Sequence, residues 1–137
     1  MNRISSLALG LFLTLYTVVA MTWAQSTPTI YVIAGPGTSL TAAEIKEVFL
    51  GDKTFSASTR LIPIDNLAIR DGFWAKVLGV NAAKYESIWT KKAFRDALNP
   101  PKTLDNDNAV LDYVKRTAGA VGYVTTAPAG VTVVGKF

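Results

Sequence analysis

The chain has 137 residues, with 14 basic and 10 acidic side chains and neither histidine nor cysteine. Without those two residue types there is no Ser-His-Asp triad, no cysteine nucleophile and none of the usual zinc or copper sites. The positive balance is mild and no long basic run concentrates it, so nucleic-acid binding finds no support and an attraction for anionic ligands is the most it implies.

The first two dozen residues stand apart. Asn2 and Arg3 begin a segment that runs uncharged and apolar from Ile4 to Ala20, and Thr22 and Ala24 occupy positions −3 and −1 of a cleavage site. This pattern reads as a secretory signal peptide over residues 1–24, with a mature domain over 25–137 that works outside the cytoplasm, in the periplasm. An uncleaved anchor is the alternative. A mature chain of this size can bury a core without disulfides.

Thr29–Ala34 is an apolar, β-branched run closed by Gly35-Pro36-Gly37, which predicts a buried first strand. Thr41 and Glu44 form a capping box, with Leu40 placed to staple onto Ile45, and Ile45, Val48 and Phe49 give the following helix an apolar face. Gly51 ends it, and Asp52–Thr59 reads as polar and turn-like. Leu61–Ile64 is a second strand, which Pro63 consigns to a sheet edge or a bulge.

Ile69, Phe73 and Val77 mark a second helix stopped by Gly79, and Asn81 caps a third with Tyr85, Ile88 and Trp89 on one face. Core packing is the expected role of Trp74, Tyr85, Trp89 and Phe94. Beyond Asn99-Pro100-Pro101, Asp105 is the expected cap of a fourth helix carrying Val110, Tyr113 and Val114. Val121–Val124 and Val131–Val134 are the last two strands. The order strand, helix, strand, three helices, two strands predicts an α/β fold with a mixed, mostly parallel sheet flanked by helices.

Two polar segments are candidate sites. Gly37, Thr38 and Ser39 leave a strand and feed a capped helix, so their N–H groups and hydroxyls either hold an oxyanion or form a plain turn and cap. Asp65–Arg70 follows the second strand; Arg70 either grips an anion with two prongs or pairs with Asp65 or Asp71. The acidic residues are scattered, and neither S-x-x-K nor G-x-S-x-G occurs, so the reading is non-enzymatic and without a cofactor.

Ala43–Gly51, Leu61–Asp65, Ile69–Phe73 with Val77-Leu78-Gly79, Trp89 and Phe94, Pro100-Pro101 and Gly119–Val124, in that order, resemble the short periplasmic proteins related to the phosphate-binding components of ABC importers. The resemblance runs from Ile30 to Val124 and implies one lobe of the two-lobed periplasmic-binding fold. It matches the Thr38-Ser39 loop to the family's first anion loop and the Asp65–Gly72 segment to the region carrying the family's arginine and second loop, which makes Gly37, Thr38, Ser39, Asp65 and Arg70 the expected ligand-binding residues. Asp71-Gly72-Phe73 stands where the family carries an S-G-T-type run. The implied role is binding of a small oxyanion such as phosphate, linked to a transporter, with a homodimer able to supply a second wall. A ligand-free module that binds another envelope protein is the alternative.

Overall fold

The computed structural model describes residues 26–137. The expected signal peptide lies outside them. No helix among the described residues is long and apolar enough to cross a membrane.

In chain order the elements are β1 (Tyr31–Ala34), α1 (Ala42–Phe49), β2 (Phe55–Ser56), β3 (Thr59–Arg60), β4 (Ile62–Asn66), α2 (Arg70–Phe73), a π turn (Trp74–Leu78) that continues α2, α3 (Ala82–Asp96), β5 (Lys102–Leu104), α4 (Asp107–Arg116), β6 (Ala120–Val124) and β7 (Thr132–Lys136). Five strands form one sheet in the order β5-β4-β6-β1-β7. β4 is parallel to β5 and β6, and β1 runs antiparallel to both β6 and β7. Four strands therefore point one way, and β1 alone opposes them. The result is the mixed, mostly parallel α/β fold that the alternation of elements predicts.

Period-two alternation divides the strand side chains between two cores. Val32, Val121 and Tyr123 face α1, the π turn and α3, where Phe49, Phe73, Leu78 and Trp89 are buried. Ile33, Ile64, Ala120 and Val124 face α4 through Val110 and Val114. On the α4 side Gly122 leaves room for the helix, since a Cβ there would lie 2.6 Å from Val110 Cγ1 and 3.2 Å from Val114 Cγ2. On the other side Phe73 stacks on Tyr123 with ring centroids 3.7 Å apart, and Phe49 meets Phe73 edge-on at 4.8 Å.

The caps follow the residue types. The Thr41–Glu44 capping box is closed in both directions, at 2.7 and 3.3 Å. Asn81 Oδ1 accepts from Lys84 N at 2.8 Å. Gly51 has φ +75°, and a Cβ on it would meet Trp89 Cη2 at 2.8 Å, so both backbone and packing require glycine.

Several expectations are corrected. Pro63 is in an interior strand, not at an edge. Ile62 N donates to Gly119 O at 2.8 Å, so the next residue's nitrogen points away from β6. On that side β5 begins only opposite Ile64, so no ladder bond is lost at Pro63. Asn106, not Asp105, caps α4 by accepting from Ala109 N at 3.0 Å. Within Asp52–Thr59 the turn-like segment contains β2, which pairs with β3 as a small hairpin. The short β5 has no counterpart in the strands expected from the sequence. Phe94 is not core: it is 90% exposed on α3.

Trp89 is buried against Tyr85, with ring centroids 6.5 Å apart. Trp89→Ala should lower stability by about 3–5 kcal/mol, a large part of the roughly 5–15 kcal/mol of an ordinary domain. Urea melts of both proteins check this. An unchanged midpoint would contradict the burial.

Candidate functional site

In open α/β sheets, ligands bind beyond the carboxyl ends of the parallel strands. Here that edge carries the residues after β4, the start of α4 and the residues after β6.

At the end of β4, Asp65 is buried at 2% exposure and both carboxylate oxygens are engaged. Oδ1 accepts from the Tyr123 hydroxyl at 2.7 Å and the Trp74 indole N–H at 3.2 Å, while Oδ2 accepts from the Tyr85 hydroxyl at 2.8 Å. Burial pushes the Asp65 carboxyl above its ordinary range, against those three donors and the charge of Arg70. Both tyrosines are in turn held far above their usual range, first by burial and then by the Asp65 charge. The indole that Asp65 fixes lies beneath Arg70, whose Cζ sits 5.3 Å from the Trp74 ring centroid. Arg70 is half-buried and forms none of the ion pairs found among the described residues. The expected surface pairing with Asp65 or Asp71 is not made.

Beside it, Asn66 is fully buried. Its amide donates to Asp107 Oδ1 at 2.7 Å and to Tyr123 O at 3.1 Å, and its Oδ1 accepts from Ala68 N at 3.2 Å. Asp107, in the first turn of α4, also receives the N–H and hydroxyl of both Thr125 and Thr126, each at 3.0 Å. Partial burial acts to raise the Asp107 carboxyl, but the Thr126, Asn66 and Thr125 donors outweigh it and hold it below the usual carboxylate range. Asn66 and Asp107 therefore lock the ends of β4, α4 and β6 together. An acid in a first helical turn and a Thr-Thr pair after a strand were their sequence signals, but which groups they bond depends on the sheet order.

A cleft of about 220 Å³ opens at this edge, lined by Ile69, Gly72, Lys76 and Thr125 together with Thr27, Pro28 and Ile30. Lys76 is its one charged lining residue, and Arg70 lies in the chain between Ile69 and Gly72.

The Gly37-Thr38-Ser39 loop is elsewhere. Because β1 is antiparallel to β6, Ala34 pairs with Val121 at the start of β6, while Ile62 at the start of β4 pairs with Ala120. The loop after β1 thus lies at the amino edge of β4, a strand length of roughly 15 Å from Arg70. Thr38 is buried, and its hydroxyl accepts from Gly119 N at 2.9 Å. Gly37 takes φ +70° in the turn, and Ser39 O accepts from the Ser56 hydroxyl at 3.0 Å. One small ligand cannot touch both this loop and Arg70, so the two candidate anion segments do not form one site. No group of three or more metal-ligating side chains occurs among the described residues.

No family model matches the sequence, and no curated protein matches it. Solved structures do resemble it. One is a protein from Clostridium perfringens assigned as a phosphate ABC transporter substrate-binding protein and solved with bound phosphate. Its TM-score is 0.58 at 17% identity, covering 78% of this chain and 45% of that one. Another is an ABC-type phosphate transport receptor from Vibrio cholerae, with TM-score 0.56 at 13% identity, covering 78% and 46%. The chain therefore spans less than half the length of these neighbours, and at such identities the likeness establishes a shared α/β fold alone.

Asp107 gives this edge a defined pH response. Its folded pKa is lowered, so its contribution is complete above the unfolded value of about 3.9 and is lost as pH falls through the folded value. Asp65 is raised and acts in the opposite sense, contributing stability below the unfolded value that is lost as pH rises through the folded one. Asp107→Asn should cost about 1.5–3 kcal/mol at pH 7, the scale of a charge-assisted hydrogen bond. The cost should shrink toward pH 3. Denaturant melts from pH 7 to 3 measure the gap; a gap that stays constant would rule out a lowered Asp107.

Proposed function

We propose that this chain is an exported, non-enzymatic binding protein for a small oxyanion such as phosphate, serving an ABC importer, and that Arg70 anchors the ligand. The observation that carries this is the state of Arg70. It is a half-buried guanidinium without an ion pair among the described residues, steadied over Trp74 at the carboxyl edge of β4. Such a group keeps its paired donors free for an oxyanion, and little rotamer freedom remains to be lost on binding. Lys76 in the adjoining cleft adds positive charge. The phosphate-bound neighbour of the same fold supports the ligand class. Asp65 acts in this reading as a positioning residue, through Trp74. The Gly37-Thr38-Ser39 loop serves the fold at the other edge.

One guanidinium and a nearby ammonium give about 1.5–3 kcal/mol per charge-assisted bond, and association costs offset part of that. The affinity expected is therefore about micromolar to millimolar. A second chain contributing another wall at this edge would tighten it. The alternative, a ligand-free envelope interaction module, draws on the exposure of Phe94 at 90% and Leu67 at 48%.

Calorimetric titration with phosphate and with sulfate decides between them. Arg70→Ala should weaken phosphate binding about tenfold, the loss of one charge-assisted contact, whereas Arg60→Ala at the far edge should leave it unchanged. Absence of saturable heat with either anion at millimolar concentration would end the oxyanion reading and favour the interaction module.

A further inference from the structure

A second cavity, of about 310 Å³, lies beneath the loop that returns from α3 to β5, at the amino edge of β4. Its volume is at the lower end of the range typical of small-molecule sites, about 300–1,000 Å³. It lies at the opposite end of β4 from Arg70, so its test is separate from that of the oxyanion reading.

The walls mix apolar side chains with the polar Thr54 and Asn99. Trp89 and Leu61 are buried, while Pro100 and Pro101 close the opposite side. Flat, rigid faces of this kind favour a planar ring, which gains stacking contact at little entropic cost. Ala97, which begins the loop, is held at φ +53°, a left-handed conformation that a residue with a Cβ seldom adopts. Gly51 admits the Trp89 ring edge where any side chain would displace it.

The charges around the cavity have one sign. Lys53, Arg60 and Lys102 line it, and no carboxylate does. Lys53 is already neutralised by Glu44 at 3.1 Å. Arg60 and Lys102 are exposed and join none of the ion pairs among the described residues, and Lys102 Nζ is steadied 5.3 Å from the Tyr113 ring centroid. Cations with solvated heads thus border an interior that includes the buried Trp89 and Leu61 side chains. The buried Trp89 indole N–H has no hydrogen-bond partner, and Thr54 and Asn99 also line the cavity, so a ligand with a polar edge beside an apolar body suits it better than a fully hydrated inorganic ion. A monoanion with an apolar body fits, its charge between Arg60 and Lys102 and its ring against Trp89 and the prolines.

We propose that this cavity is a binding site for a small planar aromatic carboxylate, held by Arg60 and Lys102 at the mouth and by Trp89, Pro100 and Pro101 within. It gives the chain a second ligand class at the opposite edge of the sheet from the oxyanion site.

Titration of the full chain with 1-naphthoate tests this, with neutral 1-naphthamide as the matched uncharged probe. The carboxylate should bind saturably and about tenfold tighter than the amide, as two charge-assisted contacts imply. Arg60→Ala and Lys102→Ala should each weaken naphthoate binding about three- to tenfold. Arg70→Ala should leave it unchanged, and phosphate should not compete. Both mouth residues are exposed, so thermal melts of these variants should match the parent protein. No saturable binding at millimolar naphthoate, equal binding of acid and amide, or weakening by Arg70→Ala alone would each overturn the proposal. The crossed pattern of Arg60 and Arg70 variants separates failure here from failure of the oxyanion reading.

Discussion

One buried carboxylate organises the helical face of the sheet. Asp65 collects donors from three separate elements: Trp74 in the π turn, Tyr85 in α3 and Tyr123 in β6. Burying an ion is costly, and the cost is tolerable only where such partners are already in place. They are supplied by aromatic residues whose rings also fill the core, with Tyr123 stacked on Phe73 and Tyr85 on Trp74. The polar network and the apolar packing are therefore one construction. Losing any of the three donors would leave a charge short of partners and a cavity in the same place. The indole held by Asp65 then determines where the guanidinium of Arg70 rests, so a site at the surface inherits its geometry from the interior.

Much of the fold was legible in local signals, because those signals act within a few residues. The Thr41 box, the Asn81 cap and the glycine stops at Gly51 and Gly79 need only near neighbours to operate. The apolar faces of α1 and α4 were readable from periodicity for the same reason. Pro63 misled because a proline excludes a ladder bond only on the side its nitrogen faces, and the sequence does not reveal that the neighbour there is too short to reach it. Phe94 misled because, five residues after Trp89 and nine after Tyr85, it falls on the opposite side of the α3 helix from their buried face. The short β5 pairs with β4 and packs only Leu104 on the core, too little periodicity for a sequence reading to use.

The candidate site was less legible than the fold, and the reason is strand direction. Glycine, hydroxyl and arginine segments each look suited to an anion when read separately. Whether they converge depends on which way β1 runs relative to β4, and no local pattern encodes that. The antiparallel insertion of β1 between β6 and β7 sends the Gly37-Thr38-Ser39 loop to one edge and Arg70 to the other. Thr38 illustrates the outcome: its hydroxyl satisfies a buried backbone N–H instead of meeting a ligand. The residues that do meet at the carboxyl edge, Asn66 and Asp107, are 41 positions apart in the chain.

The two outer strands of the sheet, β5 and β7, have a bearing on how the protein behaves at high concentration. Each leaves one row of backbone donors and acceptors without a strand partner in this sheet, a template for growth by a further chain. Each also carries a lysine, Lys102 in β5 and Lys136 in β7, and neither lysine is neutralised by an ion pair among the described residues. Bringing two such margins together would confine like charges in a narrowing space. The chain thus resists fibrillar stacking by repulsion at its borders rather than by covering them, and this protection weakens as salt concentration rises.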